Sequence, residues 1–125
     1  MKSKLMLGAI ACLLFMSGPV LAQDAPVMRV IVVQSENPGA YIKEVLETGR
    51  AHLKRVDSAG NLRIWRTKFA GSDAGNVIIA IEYPSLTTLA ADDKKLATDP
   101  ALSAWVRSLD KMRKIVSDSL YSEAR

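Results

Sequence analysis

Apolar positions recur along this chain with two spacings, and the spacing separates strands from helices. Val27 to Gln34 (VMRVIVVQ) is β-branched and apolar at nearly every position, which predicts a strand. Asn37-Pro38 then reads as a helix start, with Asn37 as cap and Pro38 at the first helical position. From there Tyr41/Ile42, Val45/Leu46, Gly49, His52/Leu53 and Val56 recur at helical spacing, so one helix is expected to run to Val56. Gly49 sits inside that stripe, where a missing side chain lets the helix approach a sheet. Asp57-Ser58-Ala59-Gly60-Asn61 ends the helix, with Gly60 expected as the left-handed stop. Leu62 to Ala70 and Val77 to Tyr83 read as two strands joined by a Gly- and Asn-containing turn at 71–76. Pro84 stops the second of them. Ser85 caps a helix to about Ala97, with Leu86, Leu89, Ala90 and Leu96 expected inward. Asp99-Pro100 opens another, reaching about Arg113, with Leu102, Trp105, Leu109 and Met112 on one face. Ile115 to Tyr121 is the last expected strand.

The order β-α-β-β-α-(α)-β, with right-handed crossovers and a central antiparallel hairpin, predicts an α+β fold of the ferredoxin-like βαββαβ sandwich type. Helices cover one sheet face. Val30–Val33 and Val77–Ile81 are apolar at successive positions, so the other face needs cover as well. A second copy, sheet against sheet, would supply it. A homodimer with a barrel-like core is therefore expected, the alternative being a monomer with an exposed apolar sheet. Within the hairpin, pairing Trp65 with Ile81 and Phe69 with Val77 groups apolar with apolar. It leaves Arg66, Lys68 and Glu82 on the opposite face with Ile64, Ile78 and Ala80, and makes Arg66 and Glu82 diagonal neighbours.

The first 22 residues change the picture of where the chain works. Lys2 and Lys4 precede an apolar run from Leu5 to Phe15. Ser17-Gly18-Pro19 breaks it, and Val20-Leu21-Ala22 presents a cleavage site. This is the pattern of a secretory signal peptide at 1–22, leaving one domain at 23–125 in the periplasm or outside the cell. A retained anchor is the first alternative, although the run is shorter than the ~20 residues of a spanning helix. Lipidation at Cys12 is the second, on a loose lipobox at Ala9–Cys12. With the leader removed, no stable membrane insertion is expected.

Cys12 is the only cysteine and leaves with the leader, so no disulfide, thiol nucleophile or cysteine metal ligand remains. The net charge of +4 includes Lys2 and Lys4. What remains is close to balanced and interspersed, which gives no reason to expect nucleic acid as a partner. Asp92-Asp93-Lys94-Lys95 reads as a solvated helix face.

The tract Ile81–Trp105 (IEYPSLTTLAADDKKLATDPALSAW), with its Tyr83-Pro84-Ser85 break and its Asp99-Pro100 helix start, resembles the dimeric α/β-barrel superfamily. It is similar to the NIPSNAP-like and antibiotic-biosynthesis-monooxygenase-like branches. The resemblance implies a dimer, and functions ranging from cofactor-free quinone-forming oxygenases to haem-degrading enzymes and isomerases. Haem-degrading members carry an iron-ligating histidine in the late helix, whereas Ala101–Arg113 contains none. The resemblance to cofactor-free oxygenases implies a pocket between helices and sheet in which a phenolic substrate is deprotonated.

The candidate ligand-binding residues are Tyr41, His52, Trp65, Trp105 and Arg66. His52 is the single histidine, on or beside the first helix's apolar stripe, and reads as a core or boundary residue ahead of a ligand or base. Trp65 and Trp105 are core anchors or ring platforms for an aromatic ligand. Arg66 pairs with Glu82 or grips an anionic ligand. No metal or cofactor is implied, and no Gly-rich phosphate loop or catalytic triad can be identified. The expected function is an exported protein of unassigned activity that binds a small aromatic or apolar molecule. The alternatives are a cofactor-independent monooxygenase or isomerase acting on a phenolic or quinone-like compound, and a purely structural module.

Overall fold

Asn37 begins the first helix as its side chain accepts a hydrogen bond from the Ala40 N–H at 3.2 Å, with Pro38 at the first helical position. The structure, a computed structural model, describes residues 25–69, 71 and 74–124. The expected leader with Cys12 lies outside the described residues. The elements run β1 (Val27–Gln34), α1 (Pro38–Glu44), a π-helical turn (Val45–Gly49), α2 (Arg50–Arg55), β2 (Asn61–Arg66), β3 (Val77–Tyr83), α3 (Leu86–Ala97), α4 (Pro100–Ser108), a 3-10 turn (Leu109–Lys111) and β4 (Lys114–Ser122). No helix among the described residues is long and apolar enough to cross a membrane.

The sheet has strand order β2-β3-β1-β4 with every neighbour antiparallel, which is the ferredoxin-like arrangement. Val33, Tyr41, Val45, Leu62, Val77, Ile79 and Leu109 form the main core between the sheet and the helices. Burying these side chains supplies most of the driving force for folding. Met28, Val30, Val32, Ile78, Ala80, Trp65 and Tyr121 stand on the opposite, open face, alternating with the core residues as a pleated strand requires.

The hairpin departs from the sequence expectation in four ways. The hairpin register differs: Trp65 pairs with Ile78 and Leu62 with Ile81. β2 ends at Arg66, because Thr67 and Asn76 close the hairpin and Gly71 and Gly75 turn the chain at φ 58° and 87°. Phe69, expected within the strand, is fully exposed. Arg66 consequently sits on the helix side with Ile64, and Glu82 faces Arg63 at 3.8 Å instead.

The first helix ends at Asp57 rather than Gly60. Asp57 takes the left-handed conformation (φ 55°), while the Ser58 N–H bonds to the Leu53 carbonyl and the Asp57 N–H to that of Lys54, a Schellman motif. Gly60 serves close approach: a Cβ there would lie 2.6 Å from Ile81 Cγ2 and 2.9 Å from the Tyr83 hydroxyl. Gly49 does likewise, but against α4 rather than the sheet, since its Cβ would lie 2.8 Å from Trp105 Cη2.

On α3, Leu86 and Ala90 are exposed, and the inward positions are Leu89, Asp92 and Leu96. Asp92, read as part of a solvated face, is 2% exposed. α4 is shorter than expected, ending at Ser108, because the chain tightens into the 3-10 turn before β4.

Candidate functional site

Between the sheet and the helices lies a cavity of about 600 Å³. Its floor is Ile31, Ile79 and Ile81 from the two central strands. Its walls come from the π turn (Val45, Gly49), from α3 (Leu96, Ala97) and from α4 (Leu102, Trp105, Val106). Most of this lining is apolar, and the volume suits a compound of two or three fused rings. Exposed Asp93, Ala97, Val106 and Arg107 mark its mouth.

Local sequence explains the position of Trp105. Asp99 accepts from the Leu102 N–H at 2.8 Å and starts α4, whose pitch turns Trp105 toward the first helix. The absent side chain of Gly49 admits the ring. The indole N–H donates to Glu44 Oε1 at 2.9 Å, which fixes the ring's rotation. The π turn, with its looser backbone bonding, falls where this ring presses on the helix. His52 packs against the same indole, centroids 5.6 Å apart, and its Nδ1 lies 3.0 Å from an Arg55 nitrogen.

The charged lining is asymmetric. Arg29 is spent on Asp118 through two bonds of 3.0 and 2.6 Å. The hydrogen bond from Arg29 holds the Asp118 carboxyl below the usual range against the opposing effect of burial, which makes it a poor base. Arg113 donates from Nη1 to the Tyr41 hydroxyl at 2.8 Å and lies 5.8 Å from that ring's centroid. Burial pushes the Tyr41 phenol up, and Arg113 opposes that in part.

Of the five residues singled out from sequence, Trp105 alone lines the cavity. Tyr41 is fully buried and reaches it through Arg113. His52 backs Trp105 without lining the cavity. Trp65, on the open face, is 56% exposed, and Arg66 lines a separate shallow cleft with Ile42, Leu46 and Arg50. Neither Arg29 nor Arg113 stood out in the sequence. Arg29 carried a signal, as the one charge inside an apolar strand. Arg113 did not, because nothing local distinguishes it from Lys111 and Lys114.

The fold and the cavity together define the class: a ferredoxin-like α+β sandwich with an apolar cavity between its helices and its sheet. Solved structures with this fold include a NIPSNAP family protein of unknown function from Agrobacterium tumefaciens. It is 15% identical, with TM-score 0.64, and the match covers 82% of this chain and 91% of that one. A second NIPSNAP family protein from the same organism is 24% identical with TM-score 0.60, covering 79% and 91%. SnoaB, a cofactor-independent oxygenase from Streptomyces nogalater, is 11% identical with TM-score 0.58, covering 81% and 95%. At these identities the likeness is one of fold. No protein-family model matches the chain, and no curated protein matches it in sequence.

Proposed function

We propose that this protein binds a small aromatic or apolar molecule in the cavity between its helices and sheet. The observation that carries the reading is the apolar space of about 600 Å³ with Trp105 held on its wall by Gly49 and Glu44. SnoaB shares the fold, which brings in a second reading: cofactor-independent oxygenation of a phenolic compound. Such chemistry needs a base beside the substrate. The lining carboxylates are Asp118, which is tied to Arg29, and Asp93, which is exposed at the mouth, and the single histidine is not part of the lining. Binding is therefore favoured over catalysis.

Two further readings belong to the proposal. The apolar open face, with Val30, Val32, Ile78 and Trp65, pairs with a second copy of the chain. Residues 1–22 direct export and are removed, so the exported protein should begin at Gln23. A start at Cys12 or Met1 would contradict that.

The chain has two tryptophans, so Trp65→Phe leaves Trp105 as the sole indole emitter. Titrating this variant with naphthamide, an uncharged two-ring probe, should quench the emission saturably. A linear, non-saturating response would contradict the proposal.

A further inference from the structure

Arg113 is a cation with unused capacity. No carboxylate among the described residues lies within ion-pair distance of it, and its Nη1 is occupied by the Tyr41 hydroxyl. Its Nε is buried without an acceptor, and Nη2 donates to none of the described residues. Nε is also closed to solvent, so the donor open to a ligand is Nη2, which can meet one oxygen of a carboxylate.

The residue is also well placed. Arg113 lines the cavity and, on its other side, a cleft formed by Gln34–Asn37 and Asp110–Lys114. The other cations of the cavity do not compete: Arg29 is neutralised by Asp118, and Arg107 is exposed at the mouth. Tyr41 holds the guanidinium by hydrogen bond and by its ring face, so little side-chain entropy remains to be lost on binding.

We infer that the ligand is an aromatic carboxylate, its ring body in the apolar cavity against Trp105 and its carboxylate on Nη2 of Arg113. This rests on the cavity being the binding site, and adds the ligand's charge and the residue that reads it.

The test pairs naphthoate with naphthamide, which share a ring system and differ in charge, titrated calorimetrically into wild type and Arg113→Met. Wild type should bind naphthoate about tenfold more tightly than naphthamide, the ratio one charge-assisted contact supplies. Arg113→Met should bind both at the wild-type naphthamide affinity. Arg113→Lys, which keeps the charge but not the guanidinium held by Tyr41, should retain part of the preference and serves if the methionine variant folds poorly. Equal wild-type affinity for the two probes, or a preference that survives in Arg113→Met, overturns the inference and leaves the cavity reading standing. If neither probe binds wild type, both fall.

Discussion

Asp92 is where three parts of the chain are tied together. Its Oδ2 accepts from the Tyr83 hydroxyl and the Ser58 hydroxyl, both at 2.7 Å, and its Oδ1 accepts from the Ala59 N–H at 3.0 Å. Burial pushes the carboxyl's pKa up, but the bonds from Ser58, Tyr83 and Ala59 outweigh it and the net shift is downward. Burial, and after it the same contact, raises the Tyr83 phenol. Asp92→Ala should cost about 3 kcal/mol, because three donors lose their acceptor in a buried site. Asp92→Asn should cost less, since both hydroxyls can turn to accept from the amide. Urea unfolding midpoints measure the difference. Asp99 sets a pH dependence of opposite visibility, at the surface. Hydrogen bonds from Arg55, then from the Leu102 N–H, lower its carboxyl from 3.8 to about 2. A carboxyl lowered by folding stabilises the fold above its unfolded pKa, and that contribution fades as pH falls to the folded value. Asp99→Asn should therefore be less stable than wild type at about pH 5, with the gap closing toward about pH 2. A gap that persists at the acid end would show that the ion pair is not its source. Sequence reading missed Asp92 for a definite reason. A run of two acids and two lysines looks solvated, and composition cannot say which acid continues the inward spacing set by Leu89 and Leu96.

The strands and helices were mostly legible from periodicity and punctuation. β1 and β3 fall where their β-branched runs begin and end, and the Asn37, Ser85 and Asp99 caps all accept the expected backbone N–H. What failed depended on contacts distant in sequence. The β2–β3 register is set by where Thr67 and Asn76 close the turn, and an aromatic at position 69 gave no hint that the strand had already ended. The π turn is equally illegible locally, because its counterpart is an indole on α4. Gly49→Ala tests that pairing. The new methyl group would meet Trp105 Cη2 at 2.8 Å, so the ring should shift into the cavity. In the Trp65→Phe background this should appear as a shifted emission maximum and about tenfold weaker naphthamide binding, equivalent to about 1.4 kcal/mol. Unchanged emission and affinity would mean the ring has room that the geometry denies.

For the whole molecule, the two faces of one sheet have different tasks. The helix-covered face builds the core and the cavity. The open face presents Val30, Val32 and Ile78 partly exposed, with Trp65 and Tyr121 more than half exposed. An apolar surface of that kind seldom stays in water, and pairing with a second copy would bury it while leaving the cavity's mouth, on the other side, free. Light scattering at micromolar concentration should return twice the chain mass, and Ile78→Lys should shift it to a destabilised or poorly soluble monomer, since burying an unpaired ammonium is strongly unfavourable. A stable wild-type monomer would remove the reason for an apolar open face. The cavity itself is tested most directly by native mass spectrometry of the protein recovered from its own cells. Wild type should carry a bound compound that denaturation releases as an aromatic acid. Ala97→Trp, which places an indole at the mouth, should fly as the bare chain. Bare wild-type protein that acquires no mass from its host's small-molecule extract would contradict the claim that this fold encloses a ligand site.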